Sequence, residues 1–167
     1  HITYDFPSFP ELNGYLATVE DHFENNIELT DDDIASICFA CGVACKQVYS
    51  SAVSGTYGVD QAYDAYQRFS CGNATLYYTP DNSVLDLIIE NIKQALPVHF
   101  AVVTPQWNSG HNLIIDGYNT DGYFHLNFGW GGSYDGWYFI PDNLPYQLTV
   151  IEGVIVDILK KSTLEDL

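Results

Sequence analysis

The chain has 167 residues, 47% hydrophobic and 15% aromatic, which is enough to bury one core and too apolar for a disordered segment. Five Lys+Arg stand against 22 Asp+Glu, a formal charge of −17, which argues against nucleic acid and anionic membrane as partners. No apolar run is long enough to span a bilayer and no signal peptide is evident; the acidity reads either as a solubilising surface or as attraction for a basic substrate or partner.

Residues 1–29 read as an irregular lead-in, because Pro7 and Pro10 oppose a long helix. Thr30 followed by Asp31, Asp32 and Asp33 is an N-cap signal with acidic residues set against the helix dipole. Ile34, Ile37, Cys38, Cys41, Cys45 and Val48 then recur at helical spacing, predicting one buried helix over about Asp31–Tyr49. Further helices are expected over about Val59–Phe69 and from Asp81 or Ser83 to Leu96, where Pro97 stops the chain. Beyond Pro97 the pattern turns to strands: Val98–Val103, Asn112–Tyr118, Tyr123–Phe128, Trp137–Ile140 and Leu148–Leu159. Asn119-Thr120-Asp121-Gly122 is a hairpin turn, and Gly129–Gly136 is a glycine-rich loop. The expected fold is therefore α+β in a single domain over 1–167: lead-in 1–29, mainly helical 30–97, antiparallel sheet 98–160.

The four cysteines are Cys38, Cys41, Cys45 and Cys71. The first three share a helix face and read as small buried hydrophobes, since neither a fourth ligand nor paired C-x-x-C spacing supports a metal site. A disulfide to Cys71 is left open. The chemistry concentrates in two segments. Ser109-Gly110-His111 puts a histidine at the mouth of a strand with backbone room beside it, and Asn127 lies on the returning strand. The Asn119–Gly122 turn folds the two strands together, so that His111 lies within a residue or two of opposite Asn127–Gly131. An Asn at that position can accept the ring N–H of His111, fix its tautomer, and leave the other ring nitrogen for a nucleophile.

The text "SGHNLIIDGYNTDGYFHLNFGWGGSYDGWY" resembles the "GGHAFVxDGY" and "FHxNWGWGGxxDGYY" stretches of the streptopain family of papain-like cysteine proteases. "TYDF" at Thr3–Phe6, "ACGVAC" at Ala40–Cys45 and "AVSGTYG" at Ala52–Gly58 resemble that family's "TYDW", "CGVSV" and "GSGA", so the resemblance covers about Thr3 to Ile158. It implies a papain-like fold with His111 as general base and Asn127 as its orienter. It sets Gly110 where substrate backbone docks and Ser54 on the loop lining the cleft. Phe128, in place of the family's Trp, would shield the His–Asn bond, and Trp130 would shape the wall. Asn112 stands where Ala is usual.

The family's nucleophilic cysteine precedes the "YDW" segment, and none of the four cysteines here aligns with it. The absence of Met and the start at His1 point to processing. The expectation is thus a scaffold completed by a missing N-terminal segment: a cysteine endopeptidase active only with a separate, Cys-bearing N-terminal chain of the same precursor. The alternative is an inert relative acting as a peptide- or protein-binding module. The resemblance further implies a secreted or periplasmic bacterial enzyme made with a prodomain. Such an enzyme acts on protein or peptide substrates and prefers a bulky apolar residue second before the cut bond. No metal or organic cofactor is implied, nor any nucleic-acid or membrane partner.

Overall fold

The computed structural model describes residues 10–52 and 54–160. The described backbone divides into two compact units, one before and one after the boundary between Tyr57 and Gly58.

The first unit holds helices α1 (Pro10–Glu24) and α2 (Asp31–Ala44) and a two-stranded hairpin, β1 (Val48–Tyr49) with β2 (Ser54–Gly55). The irregular lead-in is therefore corrected: from residue 10 it is helical. Pro10 is the first helical residue, a place where the missing N–H has no bond to lose. Pro7 and the "TYDF" segment lie outside the described residues. The Thr30–Asp33 capping box is present, and the Asp33 carboxylate also takes His22 Nδ1 at 2.9 Å. This bond draws the Asp33 face of α2 toward α1, burying Asp33, Ala40 and Ala44. The predicted stripe is thus displaced, and Ile34, Ile37, Cys38 and Cys41 are exposed. All four cysteines are free thiols.

The second unit is a six-stranded antiparallel sheet flanked by helices α3 (Val59–Arg68) and α4 (Val84–Lys93). Its strands are β3 (Thr75–Tyr78), β4 (Val98–Val103), β5 (Gly110–Tyr118), β6 (Phe124–Asn127), β7 (Gly136–Tyr138) and β8 (Val150–Val156), in the order β3-β8-β4-β5-β6-β7. Strand β4 is buried along its whole length, so its apolar run faces two cores. Val98, Phe100 and Val102 join Val84 and Ile88 of α4 in the larger core, with Leu113, Ile115, Leu126 and Phe128. Ala101 joins Val59 of α3, Ala74 and Ile155 in the smaller one. The register Val102↔His111, Phe100↔Leu113 puts His111 on the α4 face of the sheet, at the entry to β5. The turn joining β5 to β6 forms as the sequence indicates, with Gly122 N–H on the Asn119 carbonyl and Gly122 at φ 86°.

Candidate active site

His111 is held by its backbone register and by one hydrogen bond. Its Nε2 lies 2.8 Å from the Phe128 carbonyl oxygen. A carbonyl only accepts, so Nε2 carries the proton and Nδ1 presents a lone pair. Among the described residues Nδ1 has no hydrogen-bond partner. The Phe128 peptide is gripped on its other side, where its N–H donates to Asp135 Oδ1 at 2.7 Å. Trp130 lies against the imidazole, with ring centroids 4.4 Å apart at 30°.

The Asn127 side chain does not orient the ring, which corrects the expected His–Asn bond. Asn127 pairs with Ile114, so it shares the sheet face of Ile114 and Asn112, whereas His111 shares that of Leu113 and Ile115. One residue of register inverts the face of a strand side chain. Asn127 Oδ1 instead accepts the Gly129 N–H at 2.8 Å and pins the start of the glycine loop. Gly129, Gly131 and Gly132 stand at φ 72°, 61° and 87°. The "GWGG" text is thus a conformational requirement that swings Trp130 back over His111. Phe128 is buried in the larger core; its ring stacks beside that of His111, with centroids 6.1 Å apart at 21°, and its carbonyl takes the Nε2–H.

Ser109, Gly110, His111, Trp130, Tyr146 and Leu148 line a cavity of about 210 Å³ beside the imidazole. A Cβ on Gly110 would come within 2.9 Å of Val103 Cγ1 and 3.0 Å of the Val102 carbonyl, so packing of β4 on β5 also demands glycine there. Ser54 is exposed on β2 in the first unit. Tyr134, Asp135, Tyr146 and Leu148 were not singled out from the sequence. The carbonyl of Phe128 could not have been, because a backbone acceptor leaves no mark on residue identity.

The other described histidines are otherwise engaged: His22 with Asp33, His125 with Asp116, and His99 with Asn112 and Tyr66. Asn112, the unexplained neighbour of His111, thus has a partner: its Oδ1 is 3.0 Å from His99 Nε2 on the opposite sheet face. Burial holds the His99 imidazole below the ordinary histidine range, the Asn112 bond acting weakly the other way. Burial pushes the Cys41, Cys45 and Cys71 thiols up, the reverse of what an activated nucleophile needs. Among the described residues no group of three His, Cys, Asp or Glu is arranged to hold a metal ion.

An α+β scaffold presenting a tautomer-fixed imidazole at the rim of an apolar pocket has the build of the histidine region of a papain-like thiol peptidase. The chain belongs to the peptidase C10 family, whose model matches residues 2–138. It is similar to the thiol protease/hemagglutinin PrtT of Porphyromonas gingivalis, 34% identical over 61 residues, 36% of this chain and 7% of that protein. It is also similar to active wild-type interpain A of Prevotella intermedia, at 26% identity and a TM-score of 0.66, covering 80% of this chain and 60% of that one. A prointerpain A fragment in a Cys-to-Ala variant matches at 25% identity and a TM-score of 0.65, with 78% of this chain and 43% of that chain covered. The chain therefore spans about half the length of these solved relatives.

The solved relatives overturn the expected two-chain enzyme. The active interpain A and the precursor variant with its substituted cysteine each align with this sequence as one polypeptide. A separate Cys-bearing partner chain, and an activity that depends on it, find no support. The alternative of an inert binding module falls as well, since the chain's family is one of peptidases and a matching relative is active.

Proposed function

We propose that this chain carries the general-base region of a C10 cysteine peptidase that hydrolyses peptide bonds, with the nucleophilic cysteine on the same polypeptide. The observation that carries the reading is the bond from His111 Nε2–H to the Phe128 carbonyl, which leaves Nδ1 free beside an apolar pocket. In this mechanism Nδ1 takes the thiol proton as the thiolate attacks the scissile carbonyl carbon. The C–S bond forms, the C–N bond breaks, and Nδ1–H returns the proton to the leaving amine. Water then cleaves the thioester with Nδ1 as base, regenerating the thiol. Gly110 at the strand entry and Trp130 over the ring border the bound peptide. Ser54 is assigned to the cleft lining on its resemblance alone, and Asn127 acts through the glycine loop.

The acidic charge suits a secreted or extracytoplasmic enzyme, which the family resemblance also favours. Proteins or peptides are its substrates. Kinetics on the full-length protein test the mechanism. His111→Ala lowers kcat by about 10²–10⁴-fold. Asn127→Ala removes one neutral hydrogen bond distant from the ring and costs less than about tenfold. Peptide hydrolysis undiminished in His111→Ala sinks the reading; a loss in Asn127→Ala equal to that of His111→Ala restores the asparagine to the orienting role.

A further inference from the structure

The loop after β7 brings an unassigned tyrosine to the His111 pocket. Tyr146 sits in a 3₁₀ turn, Pro145–Gln147, and stands at φ 60°, with Gln147 at 58°. Two successive left-handed residues, neither of them glycine or asparagine, are an unfavourable backbone that the surroundings must hold in place. Two contacts do so. The Tyr146 hydroxyl donates to the Tyr134 hydroxyl at 2.9 Å. Its ring meets Trp130 edge-on, with centroids 5.8 Å apart at 83°. Tyr134 packs on the same indole at 5.8 Å and is itself left-handed, at φ 67°. Tyr138 donates to the Tyr134 carbonyl at 2.7 Å and ties the cluster to β7.

The result is an aromatic wall around a small cavity whose remaining sides are Ser109, Gly110, His111 and Leu148. Resting on the peptidase reading, the choice of occupant follows from the chemistry. Nδ1 of His111 must reach the nitrogen that leaves, so the residue carrying that nitrogen lies against the imidazole. Its side chain is the one that meets a pocket walled by the imidazole itself. The lining is dominated by rings and an aliphatic side chain, and the volume of about 210 Å³ admits one large side chain.

We infer that Tyr146 is a specificity-determining residue: with Trp130 it forms a pocket for a bulky apolar side chain on the residue immediately after the cut bond. This position is distinct from the residue second before the cut that the family resemblance emphasises.

The test uses the full-length protein and peptides that differ only after the cut bond, Phe against Ala, and compares kcat/KM ratios. Tyr146→Gly removes the wall while placing at φ 60° the residue best suited to it, so the fold is retained and a circular-dichroism melt checks that. The Phe-to-Ala preference falls about fivefold or more in Tyr146→Gly, within the range that apolar pocket contacts supply. Tyr146→Phe, which keeps the ring, holds the preference within about twofold of wild type. A smaller fall in Tyr146→Gly overturns the assignment. If the wild-type protein cleaves no peptide, the peptidase reading fails first, and the pocket is judged by titration with N-acetylphenylalanine amide followed by tryptophan fluorescence. A saturable change in wild type that Tyr146→Gly abolishes supports the pocket. Equal curves, or no saturable change in wild type, overturn it.

Discussion

His99 and Asn112 are diagonal neighbours on the α3 face of the sheet, one strand apart, directly behind the entry to β5. The ring is saturated: Asn112 Oδ1 takes Nε2–H at 3.0 Å, and Nδ1 faces the Tyr66 hydroxyl at 3.2 Å. Both bonds suit a neutral imidazole, and burial disfavours the charged form, so the folded-state pKa lies below the ordinary value. As pH falls through about 6.5, the unfolded chain takes up a proton that the folded chain refuses. Stability present above that pH is therefore lost on the way down to the folded pKa and is constant beneath it. Thermal melts from pH 8 to pH 5 will show this loss, and it will shrink in His99→Phe. Asn112→Ala at pH 7 will cost about 1 kcal/mol, the low end for an orphaned donor, because Asn112 is exposed and water can replace it. In His99→Phe, Asn112→Ala adds little. The residue type at 112 was visible in the sequence as an oddity. Its purpose was not, because the partner lies thirteen positions away on another strand.

The four described helices all end in the same way. Asn26, Lys46, Ser70 and Ala95 stand at φ 54°, 53°, 65° and 58°. In each case the next residue's N–H returns to a carbonyl five positions back: Ile27 to His22, Gln47 to Gly42, Cys71 to Tyr66 and Leu96 to Asn91. These are Schellman closures without glycine. Helix ends are read from sequence largely by a glycine or a proline, and here the glycine is missing at every one. That is why α2 reads as running on to Tyr49, whereas it turns at Lys46 into β1. Strand β4 was legible to the residue because its apolar run is bounded by Pro97 and Thr104. Edge strand β3 was not, because its pattern is largely exposed and offers no alternation. The same closures give a stability prediction. Ala95 is exposed at a left-handed position, and Ala95→Gly relieves a side-chain clash of about 1–2 kcal/mol against an added unfolded-state entropy of about 0.5–1 kcal/mol. The net gain, about 0.5–1 kcal/mol, raises Tm by roughly 1–4 °C in a chain of this size. An unchanged or lower Tm removes the strain argument.

At the scale of the whole chain, the glycine-anchored motif located the site because it encodes backbone shape. Gly129, Gly131 and Gly132 must be glycine for Trp130 to reach His111. Pairing of the two strands was legible from the Asn119–Gly122 turn, but its parity was not. A bulge between Ile115 and Gly117 shifts the β5–β6 register, and a reading tolerant to one or two residues cannot say which face Asn127 takes. Charge acts without such detail. The sequence holds 22 acidic against 5 basic residues, so even complete pairing leaves most carboxylates without a cationic partner. Most carboxylates therefore repel one another with little compensation, and repulsion favours the expanded chain. Raising NaCl from about 10 mM to 150 mM shortens the screening length from about 30 Å to about 8 Å. Screening then removes more repulsion than attraction, so Tm rises with salt at pH 7. The rise diminishes at pH 4, where protonation has already cut the negative charge. A chain whose acidic residues were offset in space by local pairing would show no salt dependence, or would lose stability as its pairs are screened. Tm measured by circular dichroism across the salt series separates the two cases.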